Sequence, residues 1–161
     1  MKKFIIFGII VYIISIISYI TFNILFGWHI KVSSKVEIKI PLSAKLELKN
    51  THGGFHGDGE TFTKIYLTQE QSEKVENRIK ENEHWRELPL TEIVANATGI
   101  FDKEMKMPEI ENGYWFYLDR NSEATDKYNE NDMYKGRYSR NYSVAVFDSY
   151  SDILYYYELD T

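Results

Sequence analysis

Residues 4–26 read FIIFGIIVYIISIISYITFNILF, a run without one charged side chain. As a helix rising 1.5 Å per residue it is about 34 Å long, enough to cross a hydrocarbon core of about 30 Å. In lipid a single segment satisfies its own backbone polar groups only as a helix. A secretory signal peptide has a shorter apolar region, about 7–15 residues, followed by small residues at the cut. Here bulky Gly27-Trp28-His29 follows the run, and Val32-Ser33-Ser34 is the one faint cleavage candidate. The stretch therefore predicts a retained anchor, with Trp28 suited to the membrane–water interface.

Lys2 and Lys3 precede the run, and Lys31, Lys35 and Lys39 follow it closely. This near-balance of basic residues does not set the orientation. A short basic head before a first apolar helix behaves as a signal-anchor, which places the N-terminus inside and the following domain outside. Gly8, Tyr12, Ser15, Tyr19 and Asn23 recur at three- and four-residue spacing. They share one helix face, a pattern that can pack membrane helices together.

The rest of the chain is polar. Of 161 residues, 43% are hydrophobic, and the formal net charge is −5. Without Lys2 and Lys3 that balance falls to −7. Such an acidic domain repels phosphate, which argues against nucleic acid as a partner and against broad electrostatic adsorption to anionic lipid. The absence of cysteine removes disulfides, thiolate metal sites and cysteine nucleophiles. Abundant Ile, Lys, Asn, Glu and Tyr, with little Ala or Pro, fits a bacterial chain from an AT-rich genome.

Working outward from the anchor, 29–34 reads as a polar connector. Val36, Ile38 and Ile40 alternate with Lys35, Glu37 and Lys39, the period of a half-buried strand, ended by Pro41. Leu46 and Leu48 repeat the pattern, and 61–67 reads as the next strand. Thr68-Gln69-Glu70-Gln71 has capping-box spacing and opens a helix expected to end near Glu83, with Val75 and Ile79 as a narrow apolar face. Trp85, Leu88 and Leu90 are expected to fold back on the core, and 91–98 to form a short helical turn. Residues 114–118 are strand-like by composition. The polar stretch 119–141 predicts a long exposed loop, and 142–147 with 153–159 a terminal hairpin. Strands, a helix, then strands predict an α+β fold with a mainly antiparallel sheet and one surface helix. The expected organisation is a membrane anchor over 1–28, a connector over 29–34 and a soluble domain over 35–161.

One segment carries candidate chemistry. Between Thr51 and Glu60, four glycines surround His52, His56 and Asp58. Imidazole and carboxylate are ligands for zinc or a similar divalent metal, and a coiled loop could bring the three together. The spacing lacks a helical HExxH pattern and a later ligand, so the simpler reading is a turn whose glycines set backbone geometry. Asp119, Asn121, Glu123, Thr125 and Glu130 imitate calcium-loop spacing, but Ala124 stands where that loop needs glycine. Thirteen tyrosines offer an aromatic surface for peptide or glycan stacking, set against their ordinary role in sheet cores. No phosphate loop, dinucleotide fingerprint or serine elbow is present.

Together these features predict a single-pass, membrane-anchored, non-enzymatic binding or accessory module without a cofactor. Its domain faces the outside of the cell membrane, and its partners are the lipid bilayer and a membrane or envelope protein. The rival expectation is a metal-dependent enzyme built on His52, His56 and Asp58.

Overall fold

The structure, a computed structural model, describes residues 2–53, 57–133 and 135–161. Its first element is a single uninterrupted helix, α1 (Lys2–Val36). Residues 4–25 are all exposed, while His29, Val32 and Val36 are buried in the domain. These three positions follow helical spacing and form one stripe against the sheet. The segment 29–34, expected as a connector, is thus helical: its apolar stripe packs on the domain, and packing outweighs polar composition.

The strand expected at 36–40 does not form. Val36 closes α1, and Glu37 turns the chain with a φ of 58°. That left-handed conformation costs a non-glycine residue about 1–2 kcal/mol. The Glu37 carboxylate accepts from the Tyr128 hydroxyl at 2.7 Å and lies 3.2 Å from His84 Nδ1, contacts that offset the strain. Ile38 and Ile40 are buried as their alternation requires, but in a return segment beside α1 rather than in a ladder. Its backbone bonds to side chains: the Ile40 amide to Ser33 Oγ at 2.9 Å, and the Lys39 carbonyl to Arg78 at 2.6 Å.

Six strands follow: β1 (Lys45–Asn50), β2 (Gly59–Tyr66), β3 (Arg86–Glu87), β4 (Gly113–Asp119), β5 (Tyr142–Asp148) and β6 (Ile153–Asp160). They form one open antiparallel sheet in the order β1-β2-β6-β5-β4-β3. With α2 (Gln69–Lys80) and the short α3 (Glu92–Asn96), the fold is α+β. Thr68 and Gln71 form the expected capping box, and Val75 and Ile79 face inward.

Both sheet faces are covered. Val32 and Val36 of α1, the return segment, α2 and Trp85 pack over Ile65, Phe116, Ala145, Phe147, Leu154 and Tyr156. On the other face Val94, Ala97, Met105, Met107 and Met133 cover Trp115, Tyr117, Tyr142, Val144 and Tyr157. Tyr155-Tyr156-Tyr157 therefore does supply both faces: Tyr156 and Tyr157 are buried in the two cores, and Tyr155 is half-buried and stacked on Phe62. The described residues of loop 119–141 are also less exposed than that segment's polarity predicts. Asp119, Asn121, Glu130, Asp132 and Met133 are buried, and Arg86 holds it by pairing with Glu130 at 2.8 Å and donating to the Tyr128 carbonyl at 2.7 Å.

Candidate functional site

The glycine–histidine loop joins β1 to β2. The Thr51 amide donates to the Glu60 carbonyl at 2.9 Å, and the Glu60 amide returns a bond to Thr51 Oγ1 at 3.0 Å. Gly59 lies against His52 so closely that a Cβ there would sit 2.6 Å from the His52 backbone nitrogen and Cα. Glycine at 59 is therefore a requirement of close approach. Both ring nitrogens of His52 have partners: Nδ1 lies 2.8 Å from Asn50 Oδ1, and Nε2 lies 3.0 Å from Asp160 Oδ2. Asp58 is exposed. His56, the third expected ligand, lies outside the described residues, and so does the convergence expected of the trio. Among the described residues no group of three or more His, Cys, Asp or Glu side chains is placed to hold a metal ion. The residues of the calcium-like run are spent elsewhere, Asp119 on Arg137 and Glu130 on Arg86.

From His52 a line of polar contacts leads back to α1. Asp160 Oδ1 lies 2.8 Å from Arg120 Nη1, which also lies 3.2 Å from Glu158 Oε1. Glu158 Oε2 in turn lies 3.0 Å from Lys31 Nζ on α1 and accepts from the Tyr156 hydroxyl at 2.9 Å. The Arg120 guanidinium fills its remaining donors with Ser143 Oγ and the carbonyls of Tyr142 and Leu159. Glu158 is only 3% exposed, and two cations and a phenol stand where water would otherwise solvate its carboxylate. Burial, then the Glu158 charge, pushes the Tyr156 phenol far above its ordinary value. Burial, then the Arg120 charge, lowers the Lys35 ammonium.

A second carboxylate, Glu60, is fully buried and accepts from the Phe101 and Asp102 amides, each at 2.9 Å, and from the Tyr157 hydroxyl at 2.6 Å. Burial, then this hydrogen bond, raises the Tyr157 phenol strongly. Two amides and a phenol hold the carboxylate, so Glu60 pins the 100–102 turn to β2.

The sequence reading singled out His52 but missed Glu158, Arg120 and Glu60. A signal was present: Glu158 occupies the same strand face as Leu154 and Tyr156, an inward position that a carboxylate takes only with a partner.

On α1, Ser15 Oγ donates to the Val11 carbonyl at 2.9 Å and Asn23 Nδ2 to that of Tyr19 at 2.8 Å. Two of the five residues on the expected packing face thus bond within their own helix.

Comparison with family models, with curated proteins and with solved structures finds no match for this chain.

Proposed function

We propose that this chain is a single-pass membrane protein whose α+β domain is a non-enzymatic binding or accessory module, held outside the cytoplasmic membrane for a membrane or envelope protein partner. The observation that carries the reading is the dual role of α1. Its exposed apolar segment is long enough to cross a bilayer, and the same helix ends as a core element of the domain. Such a junction holds the domain at a fixed attitude and confines it near membrane partners, raising their effective concentration. The non-enzymatic reading is supported by the paired state of His52 and by the saturated surroundings of Glu60 and Glu158.

Membrane extraction tests the anchor. Full-length protein should resist alkaline carbonate and partition into the detergent phase. Reporter fusions after Thr161 test the side. An outside domain gives an active periplasmic-type phosphatase and a dark cytoplasmic-type fluorescent protein; the opposite pair reverses the orientation. Recovery of intact protein in the aqueous phase overturns the anchor altogether.

A further inference from the structure

The path of α1 over the sheet identifies which side of the domain meets the bilayer. On that face α2 begins just after β2 and runs to β4, where Lys80 Nζ lies 5.9 Å from the Tyr114 ring centroid. The return segment between α1 and α2 runs the other way. Its Glu37 carbonyl accepts from Asn82 at 3.3 Å, its Lys39 carbonyl from Arg78 at 2.6 Å, and its Ser43 hydroxyl from Gln71 at 2.9 Å. On its α1 side, Ile40 bonds Ser33, and the Ala44 carbonyl, next to β1, lies 2.8 Å from His29 Nε2. At the far end the Val36 carbonyl accepts from Trp85, just before β3, at 2.9 Å. Followed towards its N-terminus, α1 therefore crosses from the β3–β4 side and leaves the sheet past β1.

Distance along the helix then fixes depth. His29 lies three residues beyond Phe26, about 4.5 Å along the axis. The headgroup layer on each side of a bilayer is about 5–7 Å thick. Whatever His29 touches is thus set within that layer when residues 4–26 span the hydrocarbon.

The exposed apolar side chains agree with this placement. Beyond the span, Ile30, Leu42, Leu48, Ile100, Phe101, Tyr138 and Tyr150 are the exposed large hydrophobics among the described residues. The first five flank β1. Ile30 is on α1 at its exit, Leu42 is in the turn leading into β1, and Leu48 is in β1 itself. Ile100 and Phe101 belong to the turn whose Asp102 lies 2.7 Å from Lys49 of β1. Phe101 is 62% exposed. β1 is also an edge strand, whose outer backbone groups lack a partner strand. Trp28 stands at the same level with Lys31 Nζ 4.5 Å from its ring centroid, an amphipathic pair suited to an interface.

We propose that the β1 edge is a lipid-docking surface, with Ile30, Leu42, Leu48 and Phe101 resting in the interfacial layer of the bilayer that α1 spans. This rests on the spanning role of α1. The contact is apolar and needs no anionic lipid: Lys45 is engaged by Glu47, and Lys49 by both Asp102 and Glu104, so neither ammonium is left over for a lipid phosphate.

The chain has no cysteine, so single substitutions label uniquely. Ile13→Cys, Leu48→Cys, Phe101→Cys and Glu87→Cys, each in the full chain, would carry spin labels in phosphatidylcholine nanodiscs. Collision rates with lipid-soluble oxygen and a water-soluble nickel chelate are then compared. The oxygen-to-nickel ratio at positions 48 and 101 should exceed that at 87, on the far sheet edge, severalfold and approach that at 13. Ratios matching position 87 overturn the docking surface. Protection from both reagents also overturns it, because a second copy then covers the edge. A water-like ratio at position 13 defeats the spanning role itself, an outcome distinct from the other two.

Discussion

Lys31 Nζ, on the last turns of α1, lies 3.0 Å from Glu158 Oε2, on the last strand of the sheet. The first helix and the last strand are joined there by an ion pair whose acidic member is almost wholly buried, while its basic member is 41% exposed. Arg120 holds the other carboxylate oxygen, so the helix is tied to β6 and to the start of loop 119–141 through one residue.

Removing the buried member should cost more than removing the exposed one. Glu158→Ala leaves Arg120 and Lys31 without their shared anion and should destabilise the protein by about 3 kcal/mol. Lys31→Ala leaves Glu158 still paired with Arg120 and should cost about 1 kcal/mol or less. Urea unfolding of the full chain in detergent micelles measures both. Equal losses would mean that Lys31 carries more of the carboxylate's compensation than its exposure allows.

Alkaline pH should destabilise the fold. Tyr156 and Tyr157 are raised by burial, and Tyr128 is pushed up to about 12, chiefly by its bond to Glu37. In the unfolded chain these phenols ionise near pH 10. A raised folded value means that the stabilising contribution is whole below pH 10 and is lost as pH climbs above it. Each phenol still protonated in the fold removes about 1.4 kcal/mol per pH unit. The Tyr128 share stops growing near pH 12 and is smaller because that residue is solvent-screened. Melting temperature should fall from pH 10 upward, and Tyr157→Phe should shallow that fall while costing about 1–3 kcal/mol at neutral pH. A melting temperature flat to pH 11.5, well within the ionising range near pH 10, would contradict the buried phenols.

At the glycine–histidine loop, Gly59→Ala should destabilise by about 1–3 kcal/mol, since its Cβ meets the His52 backbone. His52→Ala should also lower stability, by about 1–2 kcal/mol, because Asp160 and Asn50 lose a partner. Elemental analysis of the purified full chain should find no stoichiometric metal. Zinc bound one-to-one, and lost in the His52→Ala/His56→Ala variant, would instead favour the metal-enzyme reading.

The particular elements show what the sequence could reveal. The capping box at Thr68 and the terminal hairpin are local patterns, and both form as read. The 36–40 alternation was misread because burial with period two also arises in a segment squeezed between two helices. Loop 119–141 was misread because its buried carboxylates are partnered from distant positions, Glu130 by Arg86 and Asp119 by Arg137. Such pairings are tertiary and leave no mark on the local pattern. For the site, the residue types at 52 and 58 were visible, but the partners of His52 lie at the ends of β1 and β6, which only the strand order β1-β2-β6 brings together.

The most direct measurement is amide hydrogen exchange across residues 22–38 of the full chain in lipid nanodiscs. An unbroken helix running from bilayer into domain predicts continuous protection through residue 36, with no gap at 27–34. Rapid exchange in that window would reveal a hinge, and would contradict a domain held rigidly by its own membrane helix.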